Sequence, residues 1–559
     1  MCKDGLKNEL EEVNGFGLVQ TFGHDKLGRQ TESKISDSCC TSIYSKKASY
    51  LKYGDHTTDI IADLTYKIAN GNTDREKYSY DKEGNISAIH ENGRLKVKYT
   101  YDALNRLIRE DNKELDLTTT FEYDNGGNII RQNEYAYSLA DTDELIDGTE
   151  IVYTYAESRS DMLTDFNGEA IAYDANGCPL TYRDTACTFT RGTLLATYGS
   201  NTFDYDADGI RTKKNGITFT YVDGKLIRQT GGSGTIDFIY GAGGAIGFKF
   251  NNTTYIYRRN LMGDVTHIYT TDGTLVVRYV YDAWGNHRII TNVDNIGTIN
   301  PIRYRGYYYD TETDLYYLEA RYYDPETGRF ISQDSIDFIV PNHLTGLNLY
   351  AYCNNNPVMN VDPSGCLVFT TALLIAIGIG AGIGALTGAA VNGATYAMEH
   401  AGTDSFSWQG FGAAVAGGAV SGLITGAVAG AMSIFGGSAG FVFGVYTAMG
   451  FVGGVAGSVT EKSINGTLFN NGSVWDIFYE GAWGAAGGAL GGLMEGAITP
   501  VRVIAQKTGK PLSKVLTKVI QKAINEIGPS LFGGAISDFT NWYTRFAIEN
   551  TVNSYRRLA

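Results

Sequence analysis

The sequence predicts a mainly β N-terminal two-thirds, a coiling antiparallel sheet, followed by an all-α region rich in glycine and alanine. Three observations predict this division. A tyrosine–aspartate step recurs with glycine or asparagine close behind it, charge vanishes after residue 366, and glycines recur four apart in the uncharged stretches that follow.

The clearest copy of the step is Tyr78-Ser79-Tyr80-Asp81-Lys82-Glu83-Gly84-Asn85-Ile86. Tyr101-Asp102 follows 21 residues later and Tyr123-Asp124 after another 22, and Tyr173-Asp174, Tyr205-Asp206 and Tyr281-Asp282 continue the series less regularly. Alternation in Tyr-x-Tyr puts both rings on one face of a strand, aspartate satisfies turn amides, and glycine takes the positive φ that closes the turn. Each copy therefore reads as one hairpin. A lone hairpin cannot bury its aromatic face, but stacked neighbours can, so the repeat predicts a long sheet of sequential hairpins.

At 559 residues with 43% apolar content the chain is long enough for two to four domains. Its net charge of −15 is concentrated before residue 367, because only 10 of the 46 basic and 9 of the 61 acidic residues lie beyond it. An acidic shell argues against nucleic acid as a partner. The seven cysteines, Cys2, Cys39, Cys40, Cys178, Cys187, Cys353 and Cys366, are scattered. Their spacing reads as neither a disulfide framework nor a zinc site, and no metal or cofactor is expected. The first residues lack the apolar stretch of a secretory signal, so a non-classical route to a secreted or cell-surface location is expected. The abrupt start suggests a split or truncated product, or one whose delivery module is on another chain.

The Y-D-x-x-G-N pattern resembles the YD repeats of Rhs and teneurin-type proteins. Arg303-Tyr304-Arg305-Gly306-Tyr307-Tyr308-Tyr309-Asp310, and the run from Leu315 to Phe330 that includes Glu319-Ala320-Arg321-Tyr322-Tyr323-Asp324-Pro325, resemble the Rhs-associated core. Asn348-Leu349-Tyr350-Ala351-Tyr352, Asn355-Asn356-Pro357 and Asp362-Pro363-Ser364-Gly365 follow in the family's order, so the resemblance spans roughly residues 60 to 366. It implies partial repeats over 1–60, repeats over 61–300 and the core with its junction over 301–366. Beyond these a glycine-zipper region over 367–500 and a helical tail over 501–559 are expected.

The resemblance also implies two catalytic aspartates, Asp334 and Asp362, that cut the chain after Cys366 and release Leu367 onward. Two carboxylates held close cannot both ionise cheaply, so one would keep a proton as acid while the other activates water. The chain departs from the family pattern in carrying Asp337 where glycine is expected and Cys366 where leucine is expected. Two other readings of the same residues stay open: Asp362 to Gly365 as a tight turn closing the shell, and Cys366 as a nucleophile, although no histidine lies nearby to activate it.

Leu367 to Met398 and Ser405 to Thr460 contain no charged residue. Gly380, Gly384 and Gly388, then Gly418, Gly422, Gly426 and Gly430, then Gly484, Gly488, Gly492 and Gly496 would line helix edges that allow close packing. Lys510, Lys514, Lys518 and Lys522 fall opposite Val515, Leu516, Val519 and Ile520 on an amphipathic basic helix. His400, beside Glu399, is the sole histidine after Leu367, which argues against a nuclease or metal hydrolase there. Two functions follow. The first is a delivered polymorphic toxin whose shell sequesters a membrane-permeabilising segment, with an immunity protein, a delivery component and a target-cell membrane as partners. The second is a non-enzymatic surface protein, carbohydrate-binding or otherwise, in which the glycine-rich bundle serves packing or translocation.

Overall fold

The computed structural model describes residues 9–13, 16–25, 29–53, 56–222, 224–232, 234–241, 244–334, 348–366 and 368–370, and scattered positions between 392 and 464. The chain divides into two units, 1–372 and 373–559.

In the first unit the repeats become hairpins, as expected. A 14-stranded antiparallel sheet runs in strict sequence order from Glu9–Val13 to Glu169–Ala170, and a second 14-stranded sheet from Ala172–Tyr173 to His287–Asn292. The aspartates of the step close the turns. Asp81 accepts from the Asn85 amide at 2.8 Å, Asp102 from Leu104 and Arg106 at 2.9 Å, Asp124 from Gly126 and Asn128 at 2.8 Å, and Asp282 from Trp284, Gly285 and Asn286 at 2.7–2.9 Å. Gly84 sits at φ +89°, which only glycine adopts readily; in the copy that lacks glycine, Asn105 takes φ +61° instead.

The tyrosines do more than fill the interior. Tyr101 donates its hydroxyl to the Ile86 carbonyl at 2.8 Å, Tyr123 to Leu107 at 2.6 Å, Tyr155 to Ile129 at 2.7 Å and Tyr281 to Val265 at 2.7 Å. Each acceptor is the residue that follows the turn of an earlier hairpin, so one repeat ties to another through a ring long enough to span the strands. A register shift falls immediately before Tyr80, Tyr101, Tyr123, Tyr155 and Tyr205. Such bulges bend the strand and increase its twist, which is how a flat meander becomes a coil.

The two sheets share one hydrophobic core. Arg258, fully buried in the second sheet, reaches Asp74 at 2.9 Å, Glu76 at 3.2 Å and Glu91 at 2.8 Å on the first, with Tyr66 4.2 Å beneath its guanidinium. Glu110 accepts from the Ala283 amide at 2.8 Å, and Trp284 packs edge-on against Phe121 at 5.6 Å. Burial, and then the Asp282 carboxylate, push Glu110 up to about 8.

A third, four-stranded sheet, Tyr308–Asp310, Leu315–Leu318, Arg321–Asp324 and Arg329–Phe330, docks on both. Its Asp310 pairs with Arg211 and, at 3.0 Å, with Lys214; Tyr182 donates to Asp324 at 2.9 Å. Asn355 and Asn356 then read the repeat turns directly, through the Gly127 carbonyl at 2.6 Å, Asn85 at 3.1 Å and the Asn105 carbonyl at 2.8 Å.

In the second unit, residues 409–418 are helical, with Ala413 and Ala414 buried. Gly418 lies in that helix; the other zipper glycines, His400, Glu399 and the lysines from Lys510 to Lys522 lie outside the described residues. Among the described residues no helix is long and apolar enough to cross a membrane. One correction concerns the cysteines: Cys40 is disulfide-bonded, a bond that the scattered spacing did not reveal.

Replacing Tyr123 with Phe removes one interhairpin hydrogen bond and leaves the Leu107 carbonyl unpaired. The expected cost is about 1 kcal/mol, read as a lower denaturant midpoint and faster amide exchange in Leu107–Asn112. Because the Glu110 carboxyl is held above its ordinary 4.5, its stabilisation is complete below that pH and is lost as pH rises through about 8. Denaturation between pH 5 and 9 should show falling stability, with a shallower slope in Glu110→Gln.

Candidate active site at the junction

The hairpin between Leu315–Leu318 and Arg321–Asp324 is as tight as a sheet allows: Leu318 pairs with Arg321 across it, and Glu319 takes φ +57°. That turn aims Arg321 at the end of the shell. Its guanidinium stacks 3.6 Å from the Phe330 ring centre and donates to the Leu349 carbonyl at 2.9 Å. The stack and this bond fix the plane of the fork.

The structure brings both sequence-identified aspartates to this one side chain. Nη2 of Arg321 donates to Asp334 at 2.8 Å and lies 3.8 Å from an oxygen of Asp362. Asp334 is held by its amide on the Leu349 carbonyl at 3.0 Å, and Asp362, fully buried, by its amide on the Tyr307 hydroxyl at 3.0 Å. Nε of Arg321 also donates to the Gly365 carbonyl, while the Cys366 amide donates to Asp362 Oδ1 at 3.1 Å.

Asp362 to Gly365 does form a turn, and the turn is what makes the site. Gly365 has φ +76°, and a Cβ there would lie 2.7 Å from the Leu318 carbonyl oxygen, so only glycine lets the junction lie against the hairpin. The neighbouring Ser364 carbonyl accepts from Ala320 at 3.2 Å.

The electrostatics differ from the expected bare carboxylate pair. Arg321 stands between the two acids and offsets part of their repulsion, so the like-charge argument for a shared proton is weakened. Burial lowers Arg321 below its ordinary value, against the opposing pull of Asp334, Asp362 and Cys366. The half-buried Cys366 thiol is pushed up to about 11, by burial first and then by the Asp334 carboxylate, with Arg321 opposing. Sequence reasoning missed Arg321 as a site residue. Within Glu319-Ala320-Arg321-Tyr322-Tyr323-Asp324 it reads as one more strand position, and nothing local marks that its side chain turns to the junction. Asp337 lies outside the described residues, and among those described no cluster of His, Cys, Asp or Glu could hold a metal ion.

Residues 246–358 match the family model of the teneurin YD-shell. Over those residues the chain is similar to the teneurin YD-shell. The chain is 31% identical over 404 residues to the tRNA3(Ser)-specific nuclease WapA of Bacillus spizizenii, covering 64% of this chain and 16% of that protein. It is 26% identical over 404 residues to the double-stranded DNA deaminase toxin A of Burkholderia cenocepacia, covering 65% of this chain and 25% of the toxin. The chain thus spans a quarter or less of the length of these relatives. The crystal structure of TcdB2-TccC3 without its hypervariable C-terminal region aligns with 62% of this chain and 20% of that one, at 17% identity and a TM-score of 0.45.

Placing a side chain at the junction glycine tests the geometry of the YD shell's end. Gly365→Ala should cost about 1–3 kcal/mol, seen as faster amide exchange at Ala320 with the far hairpins of the first sheet unchanged.

Proposed function

We propose that this chain is the shell and junction of a delivered polymorphic toxin, in which Asp334 and Asp362 cut the backbone at the end of the shell and free the segment that follows. One observation carries the reading: two acids from separate segments converge on Arg321 within 3.8 Å, beside a turn whose backbone that same arginine and Asp362 grip. One carboxylate would polarise the attacking group and the other would assist departure of the amide nitrogen, with Arg321 stabilising the oxyanion at the carbonyl. The names of the relatives, a tRNA nuclease and a DNA deaminase toxin, support a toxin as the setting, and an immunity protein and a delivery component are the partners this reading calls for.

The freed segment is proposed to act on membranes. Its runs Leu367 to Met398 and Ser405 to Thr460 carry no charge, and about 20 apolar residues are enough to span the hydrocarbon core as a helix. Carbohydrate binding by stacked tyrosines is not favoured, because Tyr78, Tyr99, Tyr153 and Tyr279 are buried.

Intact-mass analysis of the freshly purified full chain should find two fragments meeting at the junction. Asp362→Asn should slow their appearance by about 100-fold or more; equal cleavage in that variant removes the carboxylate pair from the reaction. The cleaved protein, added to dye-loaded anionic vesicles, should release dye at micromolar concentration, and intact vesicles would eliminate the membrane role.

A further inference from the structure

The peptide bond best held at the junction is the one before Cys366. Its carbonyl oxygen, on Gly365, accepts from Nε of Arg321, and its N–H, on Cys366, donates to Asp362 Oδ1 at 3.1 Å. Both polar ends of a single amide are therefore gripped by site residues. Burial and the neighbouring Asp334 carboxylate push the thiol of the same Cys366 up, and Asp334 is bound to Arg321 at 2.8 Å. A base, an oxyanion donor and a partner for the departing nitrogen are thus arranged around one sulfur and one carbonyl.

We propose, building on the junction reading above, that cleavage proceeds through the Cys366 thiol and breaks the Gly365–Cys366 bond by an N-to-S acyl shift. The sulfur attacks the Gly365 carbonyl carbon, closing a five-membered ring of S, Cβ, Cα, N and C, and Asp334 takes the thiol proton. Arg321 holds the oxyanion. The C–N bond then breaks, and the proton held by Asp334 passes to the Cys366 nitrogen, which Asp362 has kept in place. This leaves a thioester between Gly365 and the Cys366 sulfur beside a free amine. Water hydrolyses the thioester to a Gly365 carboxylate and a free Cys366 thiol, so the net reaction consumes one water and no oxidant or reductant.

Three features of the chain favour this route. Intramolecular attack through a five-membered ring needs no ordered external water. The carbonyl under attack belongs to glycine, so no side chain flanks it. The thiol is pushed up to about 11 and so keeps its proton at neutral pH, which makes the adjacent carboxylate necessary and supplies the role that a histidine would fill elsewhere.

The test is the intact mass of the fragments released by the full chain. A C-terminal fragment that begins at Cys366, with its partner ending at Gly365, is the expected result. Added hydroxylamine should trap Gly365 as the hydroxamate and speed cleavage about 10-fold, Cys366→Ala should abolish cleavage, and Cys366→Ser should retain it about 100-fold slower through the ester. Far-UV circular dichroism and thermal melting of both variants, matched to the parent, separate lost chemistry from lost folding, and the slow serine variant serves as the internal rescue. A fragment beginning at Leu367, or parent-rate cleavage in Cys366→Ala, overturns the thiol route and leaves the carboxylate reading standing. No cleavage in the parent chain overturns both.

Discussion

The shell depends on the hydrogen bond from a tyrosine hydroxyl to a backbone carbonyl of an earlier hairpin. Each is an ordinary bond of 2.6–2.8 Å, worth about 1 kcal/mol net. Its effect comes from repetition and position. At Tyr101 and Tyr123 the tyrosine follows a bulge and precedes the aspartate that closes the turn, so one short motif sets strand curvature, turn geometry and the tie to an earlier hairpin together. The ring buries apolar surface while its hydroxyl finds an acceptor, so these tyrosines enter the interior without stranding their own polar groups.

Between the sheets a different economy operates. Arg258 and Arg211 are buried cations, each in contact with acidic groups and stacked on tyrosine rings. Burying such charges is unfavourable unless every partner is in place, so loss of any one acid would leave an uncompensated buried cation. Arg211 is surrounded by Phe203, Phe219, Tyr308, Tyr317 and Tyr322, and it links the second sheet to the strands that carry the junction hairpin. The strands that carry the junction hairpin are thus tied to the second sheet by a buried ion pair between Arg211 and Asp310.

Much of this was legible from residue order. The Tyr-Asp steps at Tyr80, Tyr101 and Tyr123 named the hairpins, because side-chain alternation and turn chemistry are local and act over a few residues. Asp334 and Asp362 were singled out by their motifs, and both lie at the Arg321 guanidinium. Arg321 and the nearness of Asp334 to the Cys366 thiol were not legible. The first depends on a guanidinium reaching from a hairpin to the shell's end, and the second on two segments separated by more than thirty residues. The Cys40 disulfide was hidden for the same reason, since spacing alone does not bring cysteines together.

By itself the sequence determined that the first part of this chain is a run of antiparallel hairpins with aromatic interiors and that its character changes after residue 366, because periodicity and composition are local properties. Tertiary structure alone decided which carbonyl each tyrosine reaches, which acids each buried arginine answers, and that a single guanidinium joins Asp334, Asp362 and the Gly365 carbonyl. The physical reason is reach: these contacts cross tens to hundreds of residues of chain, and they exist only once coiling sheets have fixed where every side chain can go.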